Sequence, residues 1–207
     1  MGEIKEFFSF PFLSEEEKTS RLLRYAAADE YFTKSVEMAR LNRLAISHRW
    51  WGAPAHYSGA LEAHEQLNPK LPQLKKKNLP QLHVATRYGP SVATHSGLHE
   101  LVHFQQDIAG MMPEANPALI PADTTVYILE PASDVMRFVL CEGLAAMEAI
   151  RASYRLKQQG KALAWHGALY LPVFKNMAQQ YQQDLQNSVA EKKAAKRMLQ
   201  IWYKSPL

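Results

Sequence analysis

The chain has 207 residues, 47% of them hydrophobic and 21% charged, with a formal net charge of +4. This is the make-up of a globular chain long enough to bury a core, and it excludes wholesale disorder. A single cysteine, Cys141, stands beside eight histidines. No internal disulfide and no multi-cysteine zinc or iron–sulfur site can form, so a bound metal must rest on histidine and carboxylate.

Taken in chain order, Ser14-Glu15-Glu16-Glu17 predicts a capping box. It opens a helix carrying Leu22, Leu23, Tyr25 and Ala26. A second helix is predicted over 29–47, where Tyr31, Met38, Leu41 and Ala45 recur at helical spacing. Trp50-Trp51-Gly52 interrupts it, and Pro54 suits the first turn of a short helix ending near Asn68-Pro69. Residues 69–80, rich in proline and lysine, read as a loop. A strand is predicted over 82–87, stopping at Gly89-Pro90, and a second over 124–129. A long helix follows from Ser133 to about Gln159, stopped by Gly160. Two more helices are expected, one interrupted by Pro172 and one from Ser188 to about Tyr203. No repeat or linker divides the chain. The expectation is one α+β domain over 1–207, predominantly helical with a small sheet. Its parts are a helical N-terminal region (1–68), a core (80–160) and C-terminal helices (161–207).

One segment carries chemistry. His99-Glu100-Leu101-Val102-His103 matches H-E-x-x-H. On a helix, residues four apart lie one turn above each other on one face, so two imidazoles can aim at one ion. Glu100, next to the first ligand, can reach a water at that ion without binding the ion itself. Thr94 or Ser96 can cap this helix, and it should end near Gly110. Leu98, Leu101, Ile108 and Met112 give it a core-facing stripe. His95, four residues before His99, reads as a neighbour or substrate-facing group, because eight residues of helix rise about 12 Å, too far for three histidines to converge on one ion.

A catalytic zinc site takes three protein ligands. Gln106 and Ala109 exclude the extended metzincin pattern. The third ligand must then be a carboxylate from another helix. Glu142 is preferred, since Phe138, Glu142, Ala145 and Ala149 share a face and Gly143, Ala145 and Ala149 permit close approach. Glu148, Asp134 and Glu130 remain alternatives. Cys141 reads as a small core residue.

His99-Glu100-Leu101-Val102-His103 followed by Glu142-Gly143-Leu144-Ala145 resembles the gluzincins, zinc metallopeptidases whose third ligand is a glutamate on a following helix. The resemblance spans residues 83–150. It implies a zincin-like catalytic core at 80–160, Zn2+ held by His99, His103 and Glu142, and Glu100 as general base. Several gluzincins carry an acidic residue four positions after the third ligand, supporting a zinc histidine; here that position is Ala146. Zinc would acidify a water, and Glu100 would take its proton and pass it to the leaving amine. Candidates for stabilising the oxyanion are His166, Tyr154, Tyr127 and Tyr170. His166 follows the third ligand on another helix, as the catalytic histidine of thermolysin-like members does. The strand over 82–87 could offer an edge to an extended peptide.

The expected activity is therefore zinc-dependent peptide hydrolysis, with a peptide or protein as substrate. The alternatives are a zinc-binding scaffold without catalysis, and a metal-dependent hydrolase of a non-peptide amide. Residues 162–174 are too short to span a membrane, no secretory signal is visible, and no nucleic-acid module appears. A cytoplasmic protein with no nucleic-acid or membrane partner is expected. Lys192, Lys193, Lys196 and Arg197 read as a solvated helix face.

Overall fold

The computed structural model describes residues 13–41, 44–50, 53–58, 80–108 and 134–204, the side chains of 58, 108 and 134–138 excepted. The chain is mostly helical with one three-stranded sheet.

Helix α1, Glu15–Ala26, begins at the predicted capping box: Ser14 Oγ accepts from the Glu17 N–H, and Glu17 accepts from the Ser14 N–H. Its Leu22 and Ala26, one turn apart, enter the core. Helix α2, Glu30–Leu41, is fixed at its start by Asp29, whose carboxylate accepts from the Tyr31 N–H. The same carboxylate, 1% exposed, takes two 2.8 Å bonds from Arg155.

The helix expected over 29–47 ends early. Strand β1, Ala45–Arg49, runs parallel to β3, Gln81–Ala85, and the helix predicted from Pro54 is replaced at its start by β2, Ala55–Ser58, antiparallel to β3. The propensities of these short segments are weak, and pairing with β3 decides them. The sheet order is β1-β3-β2, so β3 is bonded on both sides and offers no free edge. The peptide-pairing role expected for residues 82–87 does not hold. Leu82 and Val84 point into the core, while His83 lies on the other face with its Nδ1 2.5 Å from Ser47 Oγ. The strand expected over 124–129 lies outside the described residues.

Helix α3, Gly89–Ile108, starts earlier than Thr94 or Ser96 would cap it. Gly89-Pro90, read above as a strand terminator, opens the helix, and the Thr94 hydroxyl donates to the Pro90 carbonyl. Every residue from 92 to 104 is buried. The sheet, α1 and α2 cover one side; helix α4, Asp134–Gln158, and helix α5, Leu163–Tyr170, cover the other. Gly160, at φ 79°, follows the end of α4 as predicted. Pro172 starts a separate helix, α6 (Pro172–Gln186), and α7 spans Glu191–Lys204. Three helices therefore stand where two were expected. One apolar core joins α1, α2, the sheet, α3 and α4; another joins α4 to α7.

Candidate metal centre

The central helix α3 buries a run of polar side chains: His95, His99, Glu100, His103, Gln106 and Asp107. Buried polar groups cost free energy unless bonded, so each must be accounted for. His99 and His103 are 6% and 4% exposed and stack edge to face, with ring centroids 4.7 Å apart. Across from them α4 presents Glu142.

Three donor groups converge. His99 Nε2 lies 3.0 Å from His103 Nε2 and 3.3 Å from Glu142 Oε2, and His103 Nε2 lies 3.3 Å from Glu142 Oε1. Ligands about 2.0–2.1 Å from a tetrahedral zinc stand about 3.3–3.4 Å apart, close to the separation of each imidazole nitrogen from its carboxylate oxygen. The donor set, two imidazoles and one carboxylate, is also one that zinc prefers. Within the described residues, this trio is the group that could hold a metal ion.

The protonation of His103 follows from its neighbours. Gln106 Nε2 donates to the Cys141 carbonyl at 3.0 Å, because a carbonyl can only accept. Gln106 Oε1 therefore faces His103 Nδ1, at 2.9 Å, and Nδ1 carries the proton. The Nε2 lone pair of the neutral ring is thereby directed at His99 and Glu142. This amide orients the His103 ring. Gln106 was legible in the sequence as a polar residue one turn beyond His103, but only as a mismatch to another pattern. His99 has no such anchor among the described residues: its buried Nδ1 finds no partner there, and its ring packs near the Phe174 ring of α6, 5.4 Å away. No sequence signal pointed to Phe174.

The electrostatics couple the three side chains. Burial pulls the Glu142 carboxyl up, but bonds from His103 and His99 outweigh it and hold it well below the usual carboxylate range. Burial pulls His103 down, yet Glu142 and then Glu100 win and hold it above the ordinary imidazole range. A proton and a metal ion compete for the same lone pair. Glu100 is 8% exposed and makes no ion pair or hydrogen bond among the described residues, close enough to His103 to act on it electrostatically.

The other candidates fall elsewhere. Glu148 pairs with Arg151 at 2.7 Å and is outside the cluster. The side chains of Glu130 and Asp134, and the whole of Tyr127, lie outside the described residues. Ala145 and Ala149 pack in the core beside α3 as predicted, but Gly143 faces Trp202 of α7, with 2.8 Å from an added Cβ to the ring. Cys141 is buried and forms no disulfide. His95 is wholly buried and faces no substrate: its Nδ1 donates to Ser153 Oγ, which donates to the Ala149 carbonyl, and Phe174 packs on its ring. His166 is exposed on α5, Tyr170 is exposed at its end, and Tyr154 packs edge to face on Trp165 and Tyr181. Lys192, Lys193 and Lys196 are exposed, as expected, while Arg197 pairs with buried Asp184 at 2.6 Å. No helix among the described residues is long and apolar enough to cross a membrane.

Comparison with known protein families, curated proteins and solved structures found no match to this chain.

Proposed function

We propose that the chain is a zinc-dependent metallopeptidase of gluzincin-like, zincin type, with His99, His103 and Glu142 as ligands and Glu100 as general base. The observation that supports it best is that the two imidazole Nε2 atoms, 3.0 Å apart, each lie 3.3 Å from an oxygen of the Glu142 carboxylate, with Glu100 near His103 and unbonded among the described residues. Zinc, when bound, would acidify water and polarise a substrate carbonyl. The chain does the rest. Gln106 keeps His103 in the tautomer that offers Nε2, and Phe174 holds the His99 ring. Glu100 takes a proton from the attacking water and returns it to the leaving amine. Glu142 keeps 27% of its side chain accessible, so the cluster is reachable from solvent.

The test has two arms. Purified protein should carry about one zinc per chain, and His103→Ala should lose it. Glu100→Gln should keep the zinc and lose cleavage of a peptide library. Full zinc retention in His103→Ala sinks the site. Zinc-loaded wild type that cleaves no peptide sinks the peptidase and leaves a zinc-binding scaffold or a hydrolase of another amide.

A further inference from the structure

A cavity of about 290 Å3 lies on the far side of α3 from the histidines. Its α3 wall includes Thr94. Thr94 and His103 are nine residues apart, about two and a half turns, and so lie on opposite sides of the helix. The remaining walls come from α1, His48 of β1, Val84 of β3 and the turn between α4 and α5. Gly97 brings α1 close to α3, since an added Cβ there would stand 2.8 Å from the Leu22 side chain. Tyr25 fixes the α4–α5 turn: its hydroxyl donates to the Lys161 carbonyl at 2.6 Å and accepts from the Ala164 N–H at 3.1 Å.

The lining has a charged part and an apolar part. Lys18, Arg21 and Arg24 of α1 and Lys161 of the turn bring four positive charges, and the lining contains no acid. Lys18 reaches Glu15 at 3.5 Å, while Arg21, Arg24 and Lys161 make no ion pair among the described residues. The Lys18 side chain is 11% exposed, and that single long contact is weak compensation for a desolvated ammonium. His48 is similarly under-served: its side chain is 2% exposed and its Nδ1 has no hydrogen-bond partner among the described residues, with Glu15 Oε2 3.4 Å away. The apolar part of the wall includes Leu22, Val84, Ala93 and Leu163. Like charges gathered around a concave, low-dielectric wall focus their field on a counter-ion.

We propose that this cavity is a second ligand site, for a small amphiphilic anion with one carboxylate or phosphate head and a short apolar body. The head sits among the α1 cations and Lys161, and the body lies on the Leu22–Val84–Leu163 wall. The volume is at the small end of ligand cavities, so the body is short. This site is independent of the metal centre.

Calorimetric titration of the full chain tests it with four probes: octanoate, octyl phosphate, inorganic phosphate and 1-octanol. Octanoate or octyl phosphate should saturate at about one per chain, and the tighter of the two identifies the head group. Octanol and inorganic phosphate, each lacking half of the recognition, should bind at least about tenfold more weakly. Arg21→Ala and Lys161→Ala, both at solvent-accessible positions, should each weaken binding about tenfold with the far-UV spectrum unchanged. Leu163→Trp should block binding by filling the cavity. Failure of both amphiphiles to saturate overturns the proposal, as does equal binding of octanol or indifference to both charge removals. Loss of binding in folded His103→Ala would move the ligand to the metal centre and equally overturn it.

Discussion

Gln106 is the most informative residue to perturb. Its amide makes two buried bonds, accepting from His103 Nδ1 at 2.9 Å and donating to the Cys141 carbonyl at 3.0 Å, in a side chain only 4% exposed. Gln106→Ala orphans both partners. Each unsatisfied buried group costs about 1–3 kcal/mol, so the metal-free protein should lose about 2–6 kcal/mol. For a chain of this length that is a fall of roughly 4–24 °C in Tm. The same change frees His103 to rotate and to place its proton on Nε2, where the metal must bind. Zinc affinity should fall about 10–100-fold, the usual weight of an outer hydrogen-bond partner. Gln106→Glu separates the two effects. A carboxylate accepts from Nδ1–H better than an amide but cannot donate to Cys141, so zinc affinity should hold or rise while stability falls. The assays are urea unfolding of the metal-free protein and zinc competition against a chelator of known affinity. If Gln106→Ala binds zinc within twofold of wild type, the tautomer argument is wrong, whatever happens to stability.

Two further outcomes follow from buried groups around the same helix. His95 is held neutral: burial first, and then the nearby His99, push its imidazole down to about 3. The unfolded chain takes up that proton below about pH 6.5. Its contribution is therefore complete above pH 6.5 and declines as pH falls toward 3, by about 1.4 kcal/mol per pH unit. Urea midpoints from pH 7 to 5 should drop more steeply in wild type than in His95→Phe, and parallel curves would refute this. Gly167 on α5 sits where an added Cβ would stand 2.1 Å from the Ser91 carbonyl oxygen and 2.8 Å from His95 Cβ. Backbone cannot yield as a side chain can, so Gly167→Ala should cost at least about 3 kcal/mol, at the upper end of overpacking penalties. A thermal melt within 2 °C of wild type (roughly 0.5–1 kcal/mol) would show that α5 moves aside freely.

What the sequence determined by itself was local. The capping box at Ser14, the long helix stopped by Gly160 and the one-turn spacing of His99 and His103 all rest on contacts within a few residues, and local patterns report them. Glu142 was reached by a wider inference, from the need for a carboxylate and the small residues on its face, and the structure brings it to within 3.3 Å of both histidines. The tertiary structure alone decided the rest. Residues 45–49 and 55–58 became strands because β3 runs between them, a pairing that no local pattern encodes. The same double pairing removed the edge that residues 82–87 had been expected to offer. Gly143 turned toward Trp202 instead of toward α3 because α7 packs there. Phe174 reached the histidine rings from a helix more than seventy residues away. Gln106 lay in plain view three residues from His103, yet its role depended on a carbonyl of α4 that fixes which way the amide points. The spacing of the two histidines is set along one helix, whereas their orientation is set by whatever packs behind them.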